Sequence, residues 1–361
     1  MTNRCDLALR ICYLSLCFVF IACFSRPHII MGQQLPTPET ESAAAASPVV
    51  DEKHFDIWKE NPDDFYTIVG DIPRPGDPVT LIFLPAQNNE TARPAKLLLT
   101  GKNGRRLSGA SFFDWTLDDE GHKVKACVFA VPSTFDGGAV LVNVDGTDIF
   151  ALDLKERSFI SEEIPLNPSN TALRTVPDPQ KTAEANMLWE ILSRSGGEVY
   201  SAGPFTPPVA ADTRRTSFFG ARRVYLYSTG KSDTAIHAGI DYGVPLGTPV
   251  RASAAGKIVL ARERIVTGNS VIIEHLPGVY SIYYHLDKIY AEEGALAAAG
   301  DVIGLSGATG LATGPHLHWE IRVAAENTDP DILCLHPILD REAAKKIIDE
   351  RGEKIYAGLS R

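Results

Sequence analysis

Four of the nine histidines in this 361-residue chain fall, together with one aspartate, in three short motifs. His316-Leu317-His318 stands in the run TGPHLHWEI, His237-Ala238-Gly239-Ile240-Asp241 lies upstream, and Tyr283-Tyr284-His285-Leu286 comes between them. On a β-strand, residues two apart share a face, so His316 and His318 project side by side with Glu320 on the same side. Two imidazoles and one carboxylate make a three-ligand zinc set, and two further histidines are left over. The surplus matters, because a structural zinc is wrapped by protein while a catalytic zinc keeps a position open for water. No cysteine lies near these motifs, which disfavours a thiolate site. Glu320 reads as an ordinary strand-end carboxylate ahead of a supporting partner for a ligand imidazole. A lone histidine in an apolar strand is usually a satisfied core residue. Five residues in three separated motifs outweigh that reading here. His275 reads as structural or surface, and His28, His54, His122 and His336 carry no role.

The elements that must position these residues are mainly β. Over residues 213–335 the short β-prone runs are Val250–Ala252, Lys257–Ala261, Ser270–His275, Tyr280–His285, Val302–Leu305 and His316–Val323. Gly304, Gly307, Gly310 and Gly314 surround the ligand strand. Small residues there leave a groove for an extended peptide, or simply serve turns. Arg222, Arg223 and Tyr225 line the same groove or pack structurally. Upstream, residues 66–165 look all-β, with Val79–Leu84, Lys96–Thr100, Val124–Ala130, Ala139–Val144 and Thr147–Leu154 separated by Asn103-Gly104, Asp119-Glu120-Gly121, Gly137-Gly138 and Asp145-Gly146. Such spacing predicts an immunoglobulin-like β-sandwich. Between the two, residues 166–212 read as a connector. A helix over 178–195 is capped by Asp178, with Pro179 at its first position and Gly196 at its end, and the extended SAGPFTPPVAAD follows. Residues 336–361 form a helical tail. Its helix, 340–351, starts at Asp340, turns Ala344, Ile347 and Ile348 inward and stops at Gly352.

Composition sets bounds on partners. A net charge of −10 without a long basic run argues against nucleic acid. Arg4 and Arg10 precede the apolar run Ile11 to Phe24, too short to span a bilayer but suited to a signal peptide over residues 1–32. An extracytoplasmic location, in the periplasm or cell envelope, follows from it. Simple cleavage is the first reading. Lipidation at Cys23 and an uncleaved anchor are the others, and only these two bring the membrane in as a partner. Residues 33–65 read as a flexible linker, rich in Pro, Ser and Ala over 33–50. Asn89-Glu90-Thr91 is a glycosylation sequon by pattern only. Four of the six cysteines lie within the first 32 residues; Cys127 and Cys334 alone make no disulfide framework.

At HAGID, YYHL and GPHLHWE the chain resembles the M23 peptidases, the lysostaphin- and LytM-type zinc endopeptidases of bacterial cell walls. The resemblance covers roughly residues 213–335 and extends through FGARRVY, GVPLGTPVRASAAGKIVLA, TGNSVIIEH and SGATGLATGPHLHWEI. It implies a LytM-type antiparallel β domain with His237, Asp241 and His318 as ligands of one Zn2+, and His285 and His316 as catalytic histidines. Base and acid remain unassigned between these two. The function implied is hydrolysis of peptide stems or cross-links of peptidoglycan by metal-activated water, in wall remodelling or division. Residues 66–165 would then serve as an accessory domain, one reading being an envelope-protein partner. The alternative is a non-catalytic LytM-type envelope protein that binds peptidoglycan or activates another hydrolase; its marker, a lost ligand, is absent from the sequence. A biotinyl- or lipoyl-type carrier is a third reading, from GTPVRASAAGKIV and EEGALAAAGDVIG. Lys257 sits in a strand-like run instead of an exposed hairpin, which disfavours it.

Overall fold

The computed structural model describes residues 58–60, 65–68, 72–84, 94–117, 123–194 and 196–350. The expected signal peptide with Cys23, the tract 33–50, the sequon, Asp119-Glu120-Gly121, His28, His54, His122, the Ile348 side chain and Gly352 lie outside them. Among the described residues no helix is long and apolar enough to cross a membrane.

The chain begins with β1 (Trp58–Glu60), β2 (Phe65–Ile68), β3 (Pro78–Phe83), β4 (Lys96–Gly101), β5 (Arg106–Ser111), β6 (Phe113–Thr116), β7 (Lys123–Ala130), β8 (Ala139–Val144) and β9 (Thr147–Asp153). They make two antiparallel sheets, β1-β2-β3-β7-β6 and β5-β4-β8-β9. Val79, Leu81, Cys127 and Phe129 of the first share a core with Leu97, Leu99, Val140 and Val142 of the second, so the sheets pack face to face. Asp145 and Gly146, both at positive φ, form the two-residue turn that joins β8 to β9. The other face of β3 and β7 is also covered. Ile82, Ala126 and Val128 belong to a core that includes Phe205, Phe219, Ile240 and Trp319. Burial on both faces is why Leu81–Phe83 and Ala126–Ala130 within these strands read as unbroken apolar runs. The likeness of this sandwich to immunoglobulin domains rests on the sequence pattern alone.

Residues 161–165, counted with the first β region by sequence, form β10 (Ser161–Pro165). It pairs in parallel with β12 (Arg222–Leu226), which pairs in turn with β13 (Ser232–Ile236). Two helices follow β10, α1 (Pro168–Thr175) and α2 (Pro179–Leu192). The Asp178 side chain accepts from the Gln180 amide, as a cap should; the helix ends at Leu192 rather than 195. Ile191 and Leu192 cover Leu260, Ile272, Tyr280 and Tyr284, each buried aliphatic side chain contributing about 1.5–3 kcal/mol. The segment expected as an extended linker is docked as well. The Tyr200, Phe205 and Thr206 amides donate to His275, Leu333 and Ser253 carbonyls, and Phe205 and Val209 are buried.

The remaining strands are β11 (Arg215–Ser217), β14 (Ile240–Tyr242), β15 (Pro249–Arg251), β16 (Gly256–Arg264), β17 (Gly268–Leu276), β18 (Val279–Ile289), β19 (Leu296–Ala297), β20 (Val302–Ser306), β21 (Leu317–Val323) and β22 (Glu326–Thr328). The central sheet runs β11-β14-β21-β18-β17-β16-β19, with β20 and β15 continuing from β18 and β22 on β21. β21 lies between β14 and β18, with Asp241 opposite His318 on one side and Tyr284 opposite His318 on the other. The chain closes with α3 (Pro330–Leu335) and α4 (Arg341–Glu350). Asp340 caps the latter by accepting from the Ala343 amide, and Ala344 and Ile347 are buried. Cys127 and Cys334 are both free.

Candidate metal centre

Strand pairing delivers the three residues that converge most closely. His237 precedes β14, Asp241 sits within it, and His318 sits opposite on β21. His237 Nε2 lies 3.1 Å from Asp241 Oδ1 and 3.0 Å from His318 Nδ1, and His318 Nδ1 lies 2.6 Å from Asp241 Oδ1. All three residues are buried. Gly239 makes the close approach possible: a Cβ there would stand 2.0 Å from the Trp319 carbonyl oxygen.

The outer nitrogens of the rings decide what the inner ones can do. His237 Nδ1 is 2.8 Å from the Phe218 carbonyl oxygen. His318 Nε2 is 2.9 Å from Glu320 Oε1. Carbonyl and carboxylate oxygens only accept, so each of these nitrogens carries the ring proton. In the neutral rings, His237 Nε2 and His318 Nδ1 are therefore lone pairs, aimed at each other and at a carboxylate oxygen. Three acceptors facing one another in a buried space call for a cation. The spacings from His237 Nε2, 3.0 and 3.1 Å, are near the ~3.3 Å edge of a tetrahedron with bonds of about 2.0–2.1 Å, and the His318–Asp241 spacing of 2.6 Å is shorter. The same demand appears in the protonation equilibria. Burial opposes charge on His318, yet Asp241 and Glu320 prevail and hold its pKa up at about 9. Burial also opposes charge on Asp241, but His318 and His237 hold its carboxyl well below the usual range.

Each member is held from outside. Arg223 Nη2 donates to Asp241 Oδ2 at 2.6 Å. Arg322 Nε donates to Glu320 Oε2 at 2.7 Å. Burial would raise the Glu320 pKa, but Arg322 and His318 bring it to about 2. Glu320, read from sequence first as an ordinary carboxylate, is thus buried and bonded to His318.

His285 and His316 complete the cleft. His285 lies within β18 at φ 61, a left-handed conformation that is uncommon for a side chain other than glycine. Strand alternation would send residue 285 to the face opposite Tyr284, whose ring stacks on His318 at 5.5 Å. The left-handed turn brings the His285 ring back, to 4.7 Å from that of His316 and 6.2 Å from that of His318. It is fixed by its amide to the Thr267 carbonyl and by Nδ1, 2.8 Å from the Thr309 carbonyl oxygen. His316 precedes β21 in an isolated bridge to Gly307. Its Nδ1 is 2.8 Å from the Gly314 carbonyl oxygen, and its Nε2 is 4.0 Å from Asp241 Oδ1. Both rings keep Nε2 as a free acceptor. Burial, reinforced by His316 and His318, pushes the His285 pKa down to about 3, so this ring is neutral at ordinary pH.

The family model described as Peptidase family M23 matches residues 235–330, which contain all five residues. The chain carries an M23 peptidase domain. Over 166 residues it is 37% identical to a DD-carboxypeptidase/endopeptidase of Neisseria meningitidis, covering 46% of this chain and 37% of that protein. Over 116 residues it is 40% identical to a peptidoglycan DD-endopeptidase of Vibrio cholerae, covering 32% of this chain and 26% of that one. The matches thus span little more than a third of the length of these curated relatives, or less. Among solved structures, the catalytic domain of the antimicrobial peptidase lysostaphin from Staphylococcus simulans is 29% identical, covering 38% of this chain and 85% of that one, with a TM-score of 0.24. Similarity to metallopeptidases points to a metal, and the facing lone pairs of His237, Asp241 and His318 suit one.

Other sequence candidates in the M23 domain fall elsewhere. His275 is buried, its ring between the Ala255 carbonyl and Ser281 Oγ at 2.8 and 2.7 Å, and is structural. A Cβ at Gly304 or Gly307 would collide with neighbouring backbone, and Gly310 sits at φ 72. Of the four, Gly314 alone has open space on its Cβ side at an ordinary φ. Arg222 packs over Phe159 and bonds the Ser133 carbonyl, whereas Arg223 reaches Asp241.

Proposed function

We propose that this chain is a zinc-dependent endopeptidase of the bacterial cell envelope that hydrolyses peptide stems or cross-links of peptidoglycan in wall remodelling or division. The observation that carries the reading is the convergence of three acceptor atoms beside two more imidazoles whose outer nitrogens are occupied. His237, Asp241 and His318 would hold the ion, and two imidazoles with one carboxylate favour zinc. When bound, the ion supplies Lewis acidity, polarising a peptide carbonyl and acidifying water. The protein's own groups do the rest. One of His285 and His316 accepts the proton of the attacking water at Nε2. The proton taken up there then goes to the leaving amine, directly or by way of the other imidazole. The Thr309 and Gly314 carbonyls hold both rings in the tautomer that keeps Nε2 available. Arg223 and Glu320 keep Asp241 and His318 oriented.

Peptidoglycan as substrate is supported by the names of the relatives, which include DD-endopeptidases. The envelope location is supported by Arg4, Arg10 and the apolar run that follows. Residues 66–165 are proposed as the accessory domain of this enzyme. The test is digestion of purified sacculi by the chain from residue 33 onward, with mass spectrometry of the released fragments. Zinc-dependent peptide cleavage, absent in His318→Ala and after chelation, is expected. Intact sacculi with zinc-loaded protein would replace the enzyme reading by a binding or activating role.

A further inference from the structure

Strand β10 brings a residue from outside 213–335 to the edge of the metal centre. The Glu162 carboxylate accepts from Ser217 Oγ at 2.8 and 2.7 Å and from Arg223 Nε at 3.2 Å. The far end of the same guanidinium donates to Asp241 Oδ2 at 2.6 Å. Backbone register makes this a fixed arrangement. Glu162 is opposite Arg223 in the β10–β12 pair, and Ser217 is opposite Asp241 in the β11–β14 pair. Both charged side chains are largely shielded, with 18% of Glu162 and 13% of Arg223 exposed.

An arginine on a metal-binding carboxylate acts in two opposed ways. Its hydrogen bond orients the carboxylate, which favours the metal. Its positive charge competes with the cation for the same anion, and with little water to screen it the competition is strong. A second carboxylate on the far side of the guanidinium removes most of that competition and leaves the hydrogen bond in place. We propose that Glu162 is a positioning residue of the metal centre, acting through Arg223 on Asp241. The centre is then complete only with a strand contributed from upstream of residue 213. The proposal rests on the metal-centre reading above and goes beyond it. Attachment of β10 does not itself need the Glu162 side chain, because the backbone ladder pairs all five residues from Ser161 to Pro165 with Arg222 to Leu226.

The experiment is competition of the full chain with a chromogenic chelator for Zn2+, in wild type, Glu162→Gln, Glu162→Asp, Arg223→Gln and the Glu162→Gln/Arg223→Gln double variant. Thermal unfolding of each metal-free protein is followed alongside. Glu162→Gln is near-isosteric and is expected to weaken Zn2+ binding about tenfold, with an unchanged melting temperature. Glu162→Asp keeps the charge and is expected to stay within about threefold of wild type. In the Arg223→Gln background the Glu162→Gln change is expected to have a clearly smaller effect, the remainder passing through Ser217 Oγ, which lies 3.0 Å from His237 Nδ1. Unchanged affinity in Glu162→Gln, an equal loss in the Asp and Gln variants, or an undiminished effect without Arg223 would each overturn the proposal. A wild-type chain that binds no Zn2+ overturns the metal reading instead, and the proposal with it.

Discussion

Gly239→Ala adds one methyl group between two of the proposed ligands, and the structure leaves no room for it. The new Cβ would stand 2.0 Å from the Trp319 carbonyl oxygen, 2.7 Å from its carbonyl carbon and 3.0 Å from Glu320 Cα. Every one of these is backbone, so no side chain can swing aside. Real Cβ contacts essentially never fall under 3.0 Å, so β14 and β21 must separate by about 1 Å at this point. Asp241 and His318 face each other across that same pair. Metal sites tolerate ligand distances within about 0.2 Å, and a shift of about 1 Å in a reacting group costs about 100-fold. The Gly239→Ala variant is therefore expected to bind Zn2+ at least about 100-fold more weakly and to lose a comparable factor in peptidase rate. The assay is chelator competition, with thermal unfolding of the metal-free protein in parallel. Zn2+ affinity within threefold of wild type and an unchanged melting temperature would refute the claim that close backbone approach sets the ligand geometry.

Other substitutions separate binding from chemistry. His285→Ala and His316→Ala are each expected to lower the cleavage rate by about 10²–10⁴, while metal analysis still finds one zinc per chain. Glu320→Gln removes the charge facing His318 Nε2 and is expected to cost about 10–100-fold in metal affinity, read by the same competition. His275 gives a pH prediction away from the cleft. Burial holds its pKa down to about 4 against the ordinary 6.5, so the unfolded chain takes up a proton in this window and the folded chain does not. The corresponding stability is present above pH 6.5 and falls by about 3 kcal/mol as pH drops towards 4. Urea unfolding at pH 7 and pH 4.5 is expected to show a smaller difference in His275→Gln than in wild type; equal differences would contradict the assignment.

Local spacing made part of the site legible. Histidines two apart on a strand and a His–Asp pair around a glycine already specify which side chains can meet. The structure brings His237, Asp241 and His318 within 3.1 Å of one another. The apolar runs, the Asp145-Gly146 turn and the Asp178-Pro179 start of α2 were legible for the same reason, since each is a local preference. What could not be read depends on distant partners. Glu162, Arg223 and Asp241 are joined only by the parallel pairing of β10 with β12 and by the fold around it. Nothing in the local sequence of Glu162 announces that. The left-handed φ of His285 carries no glycine signal; bonds to Thr267 and Thr309 impose it from neighbouring segments. Residues 201–212 look like a linker because they are rich in proline, yet the Ser201, Phe205 and Thr206 amides bond to His275, Leu333 and Ser253 carbonyls. Glu320 reads by pattern as an ordinary carboxylate first, because its supporting role needs the ring orientation of His318.

The central claim is that His237 Nε2, Asp241 Oδ1 and His318 Nδ1 face one another as acceptors because a metal belongs between them. Metal analysis of the purified chain after zinc reconstitution and removal of excess tests it directly, with His318→Ala alongside. The account predicts one zinc per wild-type chain and none retained by His318→Ala. A wild-type chain that retains no more zinc than the variant would contradict it.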